Sequence, residues 1–553
     1  MPAPGSTSEP TTDPTTSLAM SPTWWRRGAV YQVYPRSFAD ANGDGTGDLA
    51  GIRSRLPYLE ALGVDAIWIS PWYPSPLNDG GYDVADYRDI DPRFGTLADA
   101  EELIADAHAR GLRIIIDLVP NHTSSEHRWF RAALAAEAGS RERGRYVFKD
   151  GKGPDGSQPP TNWTSVFGGP AWHRVDDGQW YLHLFDPTQP DLNWENEEVR
   201  SEFDDVLRFW LDLGVDGFRV DVAHALVKDQ SFPDLETTGR LLGNSRQSNH
   251  PHWDRDGVHE IIRRWRKVLD ASERDVMMVA EAWVHPDRLP LYLRPDEYHQ
   301  SFNFDFLETP WELAPARAAI DRAIKAAVDV GSTPTWTVSN HDVMRHATRY
   351  GLPGDTNWRT WPLTGPHDDL DPVAGLRRAR AAALLLMALP GSVYLYQGEE
   401  LGLPEVWDLP PDVLDDPVWE NSDHEQKGRD GCRVPIPWTP DGPSLGFGTG
   451  DPWLPQPPGF GALSVASQTG VDGSTLEMYR TALGVRRSYL DDDESLEWEE
   501  LGPDVLAFRR GSGVVCVVNF GIEPAALPAG DVLVTSAELS EGRLPTDAAA
   551  WVL

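Results

Sequence analysis

Residues 113–122 read Arg-Ile-Ile-Ile-Asp-Leu-Val-Pro-Asn-His and decide the fold, because a short apolar run ends there in polar groups. Residues 113–118 are typical of a strand that is buried on both faces, as in a parallel sheet. The carboxyl ends of parallel strands meet on one face of a (β/α)8 barrel, where its active sites lie. Three later segments also end an apolar run in polar groups: Gly217-Phe-Arg-Val-Asp221, Glu281-Ala-Trp283 and Asn340-His-Asp342. The four segments together predict such a barrel with a catalytic constellation on that face.

Apolar runs and helical patterns alternate along most of the chain. The helical pattern is clear at 199–213, where apolar residues recur at spacings of three and four. Eight runs are short enough to be strands, and they lie at 30–34, 66–70, 113–118, 216–220 and 276–280 and near residues 302, 336 and 393. Eight is the number of strands that closes a (β/α)8 barrel.

The composition predicts an α/β protein in which the barrel is interrupted once and extended once. An insertion rich in Gly, Pro and Trp follows the third strand, and short alternating runs at the end of the chain predict an antiparallel sheet. A Pro/Asp/Gly-rich segment at 403–461 predicts a structureless active-site loop. The expected parts are a disordered tail (1–22), the barrel (23–120 and 190–490), a small inserted domain B (121–189) and a C-terminal β-domain (491–553).

Charge and cysteine content restrict the class of ligand. The formal net charge of -37 leaves no concentrated basic patch, so nucleic acid and membrane surfaces are not expected partners and the ligand is expected to be neutral. The sequence contains neither a signal-peptide pattern nor an apolar run of transmembrane length, and Cys432 and Cys516 have no nearby metal-ligand partner. We therefore expect a cytoplasmic protein with reduced thiols, as a monomer or a homodimer.

These motifs resemble those of a known family. With Gln189-Pro-Asp-Leu-Asn-Trp194 and Pro390-Gly-Ser-Val-Tyr-Leu-Tyr-Gln-Gly-Glu-Glu400, they identify the chain as similar to the α-amylase superfamily (glycoside hydrolase family 13), in its bacterial α-glucosidase and oligo-1,6-glucosidase branch. The resemblance covers nearly everything from Trp24 onward. It implies an enzyme that acts on a neutral oligosaccharide and needs no organic cofactor.

Cleavage of an acetal needs one carboxyl group to protonate the leaving oxygen and another to stabilise the cationic anomeric carbon. Asp221 and Glu281 are the candidate pair. The resemblance implies that Asp221 is the nucleophile of a covalent glycosyl-enzyme and that Glu281 is the general acid and base, so that the configuration is retained. It also implies that Asp342 orients hydroxyls of the distorted sugar ring.

Several neighbouring residues are assigned supporting roles. Arg219, two residues before the nucleophile, is expected to keep it ionised through a charge-assisted hydrogen bond. By resemblance, His122 and His341 contact the sugar, whereas Asp117 supports the barrel without touching it. Trp283 is expected to pack rather than to stack on substrate.

Asp79-Gly-Gly-Tyr82 distinguishes exo from endo action, because endo-acting amylases of the family lack the acidic residue. Asp79 is expected to hydrogen-bond the terminal hydroxyls of a non-reducing glucose, with Arg433 as its partner, and so to close one end of the pocket. The remaining candidates for sugar contact are Tyr82, Phe167, Phe185 and Gln189. For the two phenylalanines, packing in the core is an equally good interpretation.

Residues 40–48 space oxygen ligands as a calcium loop does, with glycines that permit a tight turn. The loop is not an EF-hand, because Gly51 stands where the bidentate glutamate would be. The resemblance is to the first-strand metal loop of the glucosidase branch, which implies a structural calcium or magnesium ion; the alternative is a polar Asx-turn without an ion. The candidate ligands are Asp40, Asn42, Asp44, Thr46 and Asp48.

Two alternatives to hydrolysis stay open. A transglycosylase such as a trehalose synthase or sucrose isomerase would share every catalytic residue. A non-catalytic relative would have lost at least one of the three carboxylates, all of which this chain keeps. Linkage preference is also open: Val222, after the nucleophile, favours α-1,6 bonds, but its surroundings resemble those of maltases. We therefore expect an exo-acting retaining α-glucosidase that prefers short α-1,4 glucosides, with an oligo-1,6-glucosidase as the alternative.

Overall fold

The computed structural model describes residues 23–236, 250–490 and 494–553. The predicted disordered tail at 1–22 lies outside these ranges. In chain order, the strands within them are β1 (Ala29–Val33), β2 (Ala66–Ile69), β3 (Arg113–Leu118), β4 (Phe148–Asp150), β5 (Trp172–Arg174), β6 (Gln179–Leu182), β7 (Gly217–Val220), β8 (Met277–Ala280), β9 (Gln300–Ser301), β10 (Thr335–Trp336), β11 (Ser392–Tyr396), β12 (Glu497–Glu499), β13 (Val505–Arg509), β14 (Val515–Asn519), β15 (Val532–Thr535) and β16 (Ala548–Val552). The α-helices are α1 (Leu49–Ser54), α2 (Leu56–Leu62), α3 (Leu97–Ala109), α4 (Arg128–Ala135), α5 (Glu197–Leu213), α6 (Val258–Asp270), α7 (Leu289–Tyr292), α8 (Phe304–Leu307), α9 (Leu313–Val328), α10 (His346–Arg349), α11 (Trp361–Thr364), α12 (Pro372–Ala388), α13 (Pro417–Asn421), α14 (Asp430–Arg433), α15 (Val465–Gln468) and α16 (Thr475–Tyr489).

The central sheet has eight parallel strands in the order β10-β11-β1-β2-β3-β7-β8-β9. Its two end strands, β9 and β10, are joined by a side chain, because the Thr335 hydroxyl donates to the Ser301 carbonyl at 2.6 Å. Eight parallel strands with helices between them are the arrangement of a (β/α)8 barrel. The predicted barrel is therefore confirmed.

Side chains of the barrel strands alternate between two apolar layers. Ile114 and Ile116 of β3 belong to the large cluster that includes the surrounding helices, whereas Ile115 packs with Trp68 in a separate inner cluster. Asp117 shares the alternation of Ile115 and is completely buried. The period of two in β3 therefore carries a carboxylate into the barrel interior at the carboxyl end of the strand.

Helix α5 illustrates the outer layer. Asn196 caps its first turn by accepting the Glu198 N–H at 2.8 Å, and Gly214 ends it in the left-handed region at φ 117°. The helical pattern predicted at 199–213 is confirmed, since its apolar face is buried. Throughout the described ranges, each helix is too short or too polar to cross a membrane.

Two antiparallel sheets accompany the barrel. The first lies between β3 and α5 in the order β4-β6-β5, and the second is the C-terminal sheet in the order β12-β13-β14-β16-β15. Trp551 of β16 donates its indole N–H to the Leu384 carbonyl of α12 at 3.1 Å, so the C-terminal sheet packs on a barrel helix. The predicted fold class is therefore confirmed, while the exact limits of the domains stay predictions.

The segment 403–461 differs from its prediction because it contains the short helices α13 and α14. Long-range contacts hold it against the segment that follows the first barrel strand: the Ile436 N–H donates to the Ser37 carbonyl at 3.1 Å, and the Trp438 indole donates to the Phe38 carbonyl at 2.8 Å. The Arg55 guanidinium also lies 4.1 Å from the centre of the Trp438 ring. This segment is therefore folded, although its Pro- and Asp-rich composition predicted a structureless loop.

Candidate active site

A cavity of about 150 Å³ opens at the carboxyl ends of the barrel strands. Gln189, Arg219 and Arg433 lie behind its wall, and each donates a hydrogen bond to a residue that lines it. The other nine residues predicted for catalysis or sugar contact line the cavity directly: Asp79, Tyr82, His122, Phe167, Phe185, Asp221, Glu281, His341 and Asp342. The structure thus brings all twelve together.

Arg219 of β7 joins carboxylates from three neighbouring strands. Its Nη1 donates to Asp117 Oδ1 at 2.6 Å and to Asp221 Oδ1 at 2.7 Å. Its Nη2 donates to Glu281 Oε2 at 2.7 Å. Arg219 is only 2% exposed, so water screens these charge-assisted bonds weakly. One guanidinium therefore holds both candidate reacting carboxyls in place.

The Asp221 carboxyl titrates in a crowded electrostatic environment. Burial raises its pKa well above the usual range, the Arg219 guanidinium lowers it, and the neighbouring charges of Glu281 and Asp117 raise it again. The Arg219 guanidinium opposes the effect of burial and so favours the ionised form of Asp221 that a nucleophile needs. A carboxylate next to a carboxylic acid is the combination that acetal cleavage requires.

The backbone after Asp221 is strained. Val222 has φ 44°, in the left-handed region that β-branched residues rarely adopt. Its N–H donates to Glu281 Oε2 at 3.2 Å, and the Ala223 N–H donates to the Glu281 carbonyl at 3.0 Å. The strained turn therefore ties the segment after β7 to the acid at the end of β8.

Trp283 does more than the packing expected of it. Its indole stacks on the Phe304 ring with centroids 3.7 Å apart, and its Nε1 donates to Glu281 Oε1 at 2.9 Å. Both Glu281 oxygens are thus hydrogen-bonded, one by Trp283 and one by Arg219. The spacing of two residues between Glu281 and Trp283 was the signal for this contact, since it places both at one strand end.

His341 is held as a neutral partner of Asp342. Gln32 Nε2 donates to His341 Nδ1 at 2.7 Å, which leaves the proton on Nε2, 3.3 Å from Asp342 Oδ2. Burial lowers the pKa of His341 to about 3. Burial raises the pKa of Asp342, but His341, Arg429 and Arg433 together lower it by more than burial raises it. The pKa of Asp342 therefore lies below its usual range. Asp342 is therefore ionised at neutral pH.

Arg429 closes one end of the cavity by contacting three carboxylates. Its Nη2 donates to Asp79 Oδ1 at 2.6 Å, its Nη1 to Asp342 Oδ1 at 3.0 Å and its Nε to Asp416 Oδ2 at 2.5 Å. Neither Arg429 nor Asp416 was predicted from the sequence as a site residue. Their positions in the segment 403–461 gave no strand end from which to infer them.

The prediction that Arg433 pairs with Asp79 is wrong. Arg433 donates to the His341 carbonyl at 2.9 Å instead, and Arg429 takes the place beside Asp79. The physical reason is the buried Asp416 side chain, which accepts the Arg429 backbone N–H at 2.7 Å as well as its Nε. Asp416 thereby directs the Arg429 side chain toward Asp79.

Aromatic rings form much of the remaining wall near Asp79. Tyr82 stacks on His341 with ring centroids 5.1 Å apart, and Phe167 packs edge-to-face against Phe185 at 5.6 Å. Burial lowers the pKa of His122 to about 4, so its ring is neutral. Gln189 is fully buried and donates to Asp79 Oδ2 at 2.9 Å, which makes it a support of the wall.

A sequence model of the α-amylase catalytic domain matches residues 32–493. The chain belongs to the α-amylase family. It is 38% identical over 548 residues to a probable α-glucosidase of Rhizobium meliloti (strain 1021), with 93% of each chain covered. It is also 38% identical over 521 residues to an oligo-1,6-glucosidase of Heyndrickxia coagulans, with 87% of this chain and 88% of the relative covered. The solved structure of the α-glucosyl transfer enzyme XgtA matches with a TM-score of 0.83 at 36% identity, over 96% of this chain and 99% of that one. This member of the α-amylase family is therefore a glycoside hydrolase.

The candidate metal loop of this α-amylase-family chain packs against the segment 403–461. A Cβ on Gly45, which has φ 91°, would lie 2.2 Å from the Asp451 carbonyl oxygen, so only glycine is accommodated. Asp40 Oδ1 accepts the Gly43 N–H at 2.6 Å, and Asp48 Oδ1 accepts the Gly51 N–H at 2.6 Å at the start of α1. Within the described ranges, no group of three or more His, Cys, Asp or Glu side chains is arranged to hold a metal ion. The oxygen donors suit a hard cation, but their contacts also match an Asx-turn.

Proposed function

We propose that the protein is an exo-acting, retaining α-glucosidase that removes terminal, non-reducing α-linked glucose from short oligosaccharides, with α-1,4 bonds favoured. One observation carries the proposal: Arg429 joins Asp79 to Asp342 at one end of the cavity that contains Asp221 and Glu281. A sugar ring bound there meets a closed end formed by charged hydrogen-bonding groups. Such an end suits a terminal glucose and obstructs a continuing chain.

The proposed reaction has two displacements. An Asp221 carboxylate oxygen attacks the anomeric carbon while Glu281 gives its proton to the glycosidic oxygen, so that the leaving sugar departs and a glycosyl ester forms. Glu281, now ionised, takes a proton from water, whose oxygen attacks the same carbon and breaks the ester. Arg219 contacts both carboxyls at 2.7 Å and keeps their geometry through both steps.

Asp342 and His341 are proposed to hold hydroxyls of the glucosyl ring. The ionised Asp342 accepts hydroxyl protons, and its contacts with His341 and Arg429 prevent it from turning away. Side chains alone carry this chemistry, without an organic cofactor. The assignment is tested by following hydrolysis of 4-nitrophenyl α-glucoside by nuclear magnetic resonance, because every glucose released from it is the transferred glycosyl unit, whereas the reducing unit of maltose is itself a mixture of anomers. Initial release of α-glucose is expected, and initial release of the β anomer would refute the double displacement.

A second candidate is glucosyl transfer to a sugar, as in a trehalose synthase or a sucrose isomerase. The similarity to XgtA, described as an α-glucosyl transfer enzyme, supports it. So do the apolar residues Val222, Val343, Met344 and Trp283 in the cavity wall, which disfavour bound water. Product analysis with maltose, isomaltose, sucrose and trehalose separates hydrolysis from transfer. Transfer yields new disaccharides, and it releases fewer glucose molecules than hydrolysis of the same number of glycosidic bonds.

We also propose a structural calcium or magnesium ion at Asp40, Asn42, Asp44, Thr46 and Asp48. The chemistry of the donors supports it, since carboxylate and carbonyl oxygens are the ligands of these cations. The ion would stabilise the loop against the segment 403–461 and would take no part in catalysis. A cytoplasmic location and a monomeric or homodimeric state are further proposals, the former supported by the buried, unpaired Cys432 and Cys516.

A further inference from the structure

Several residues of the cavity wall have no role in the proposed mechanism, and two of them are neighbours in sequence. Trp358 and Arg359 line the cavity that contains Asp221 and Glu281. Trp358 packs against the same apolar cluster as Trp283, and Trp283 donates to the candidate acid. Because the acid must face the leaving oxygen, Trp358 and Arg359 lie on the leaving-group side of the cavity.

One backbone contact and two side-chain contacts hold Arg359 in place. The Asn357 side-chain oxygen accepts the Arg359 backbone N–H at 3.2 Å, which shapes the turn before α11. The guanidinium lies 4.2 Å from the centre of the Trp358 ring. Its Nη2 donates to Glu308 Oε1 at 3.2 Å, and Glu308 ends helix α8 next to Phe304, the ring beneath Trp283. The segments after β9 and β10 thus meet at this ion pair.

The ion pair of Arg359 and Glu308 offers hydrogen-bond donors to the cavity but carries no net charge. A guanidinium has five N–H groups, and among the described residues one of those of Arg359 donates to a protein acceptor. Glu308 neutralises its charge, and the other charged residues that line the cavity are mostly carboxylates, such as Asp221 and Asp342. A neutral hydroxylated group is therefore accommodated better than an anionic one.

We propose that Arg359 determines specificity for the leaving group by donating hydrogen bonds to the hydroxyls of a neutral sugar, and that Glu308 and Trp358 position it. This inference rests on the proposed glucosidase activity and names the substrate class of its leaving-group side. It predicts that the residue matters for a leaving sugar and not for a leaving group that has no hydroxyls beyond the scissile oxygen.

The test compares maltose with 4-nitrophenyl α-glucoside, which deliver the same glucosyl unit but differ in the leaving group. Arg359→Gln is expected to lower kcat/KM on maltose by about ten-fold or more, as expected for loss of hydrogen bonds from a charged donor. On the aryl glucoside it is expected to change kcat/KM by less than about three-fold. Glu308→Gln is expected to give the same pattern more weakly, and Arg359→Lys to restore part of the activity on maltose.

A matched control lies far from the cavity. The Arg317 guanidinium of α9 lies 4.6 Å from the centre of the Trp498 ring and 3.5 Å from Glu500, so it repeats the stacked ion pair between this helix and the C-terminal sheet. Arg317→Gln is expected to leave both substrates unaffected. Melting temperatures of all variants identify any loss that comes from unfolding.

The inference would be overturned if Arg359→Gln lowered kcat/KM by the same factor on both substrates, or did not lower it on maltose. In either case, wild-type activity on the two glucosides would still support the proposed function. If Arg359→Gln does not fold, Glu308→Gln and Arg359→Lys decide by the same criterion. Faster cleavage of trehalose 6-phosphate than of maltose by the wild type would also overturn it. A wild type that cleaves neither glucoside would refute the proposed function itself.

Discussion

Asp79 Oδ1 and Arg429 Nη2 lie 2.6 Å apart although 350 positions separate the two residues in sequence. The other Asp79 oxygen accepts a hydrogen bond of 2.9 Å from Gln189. Since both oxygens are engaged, the carboxylate has one orientation before substrate arrives, which lowers the entropic cost of binding a terminal glucose.

Asp79→Asn is expected to lower kcat/KM on maltose by about 10- to 100-fold, because an amide cannot accept both the Arg429 bond and sugar hydroxyls as the charged group does. Arg429 keeps Asp342 and Asp416 as partners, so the melting temperature should change little. Steady-state kinetics and a thermal melt measure the two quantities. Activity within about three-fold of the wild type would exclude Asp79 from glucose binding.

Asp221→Asn is expected to abolish turnover of every substrate, since an amide oxygen does not form the glycosyl ester. Glu281→Gln should behave differently and keep measurable activity on an aryl α-glucoside whose leaving group needs no proton. Rates on maltose and on the aryl substrate are compared for both variants. If Glu281→Gln lost the same factor on both, Glu281 would not be the acid.

His127 should contribute to stability in a pH-dependent way. Burial, with Arg128 and Arg145, lowers the pKa of His127 from 6.5 to about 3, and its Nδ1 accepts the Trp129 N–H at 3.2 Å as the cap of α4. The folded protein therefore favours the neutral ring. That contribution is complete above about pH 6.5 and is lost as the pH falls toward about 3, because the unfolded chain then binds the extra proton.

His127→Asn keeps a capping oxygen and removes the titration. The difference in unfolding free energy between about pH 7.5 and about pH 5 should be smaller in the variant by about 2 kcal/mol. Urea denaturation followed by tryptophan fluorescence at the two pH values provides the comparison. Identical pH dependence in variant and wild type would contradict the buried neutral histidine.

Chelation tests the ion proposed at residues 40–48. Removal of a structural calcium or magnesium ion should lower the melting temperature, because a ligand that binds only the folded state stabilises it by mass action. The initial hydrolysis rate should stay nearly the same. Asp44→Ala is expected to reproduce the lower melting temperature and to make it insensitive to chelator. An immediate, reversible loss of rate without a thermal shift would show that the ion takes part in catalysis.

Linkage preference follows from the leaving-group side. We expect kcat/KM on maltose to exceed that on isomaltose, by a factor limited to about 10–200 because a single methyl group against the wall discriminates weakly. Val222, which lines the cavity at φ 44°, is the residue to exchange. Val222→Thr should shift the ratio further toward maltose. A wild type about ten-fold better on isomaltose would make the enzyme an oligo-1,6-glucosidase.

The barrel and its carboxylates were predictable because both follow from the period of two in short buried strands. Ile115 and Asp117 of β3 point into the barrel together, and Arg219 occupies the equivalent position between Phe218 and Val220 of β7. A polar residue in such a run has no place except the interior near the strand end. The local pattern therefore specified the position.

Arg429 could not be chosen over Arg433 from sequence, because both stand in one short segment and both end near Asp342. The choice depends on buried Asp416, which lies 13 positions before Arg429 and contacts it through the folded segment. The hydrogen bond from Trp283 to Glu281 is local and was missed for a different reason, because an indole beside a strand end is also compatible with packing alone. The contacts of Arg429 with Asp79 and Asp416 are long-range hydrogen bonds, which leave no periodic signal.

Across the described residues, main-chain hydrogen bonds do not join every pair of neighbouring barrel strands. They run through seven junctions of the barrel, and in the same part of the chain the eighth, between β9 and β10, is bridged by the Thr335 hydroxyl. Local opening of the barrel should start at this junction, where the fewest hydrogen bonds between strands must break. Asn340-His-Asp342 lies shortly after β10, so the group proposed to position the sugar hydroxyls is attached to the barrel edge that, within the described ranges, lacks main-chain bonds on one side, while Asp221 and Glu281 follow strands that are bonded to neighbours on both sides.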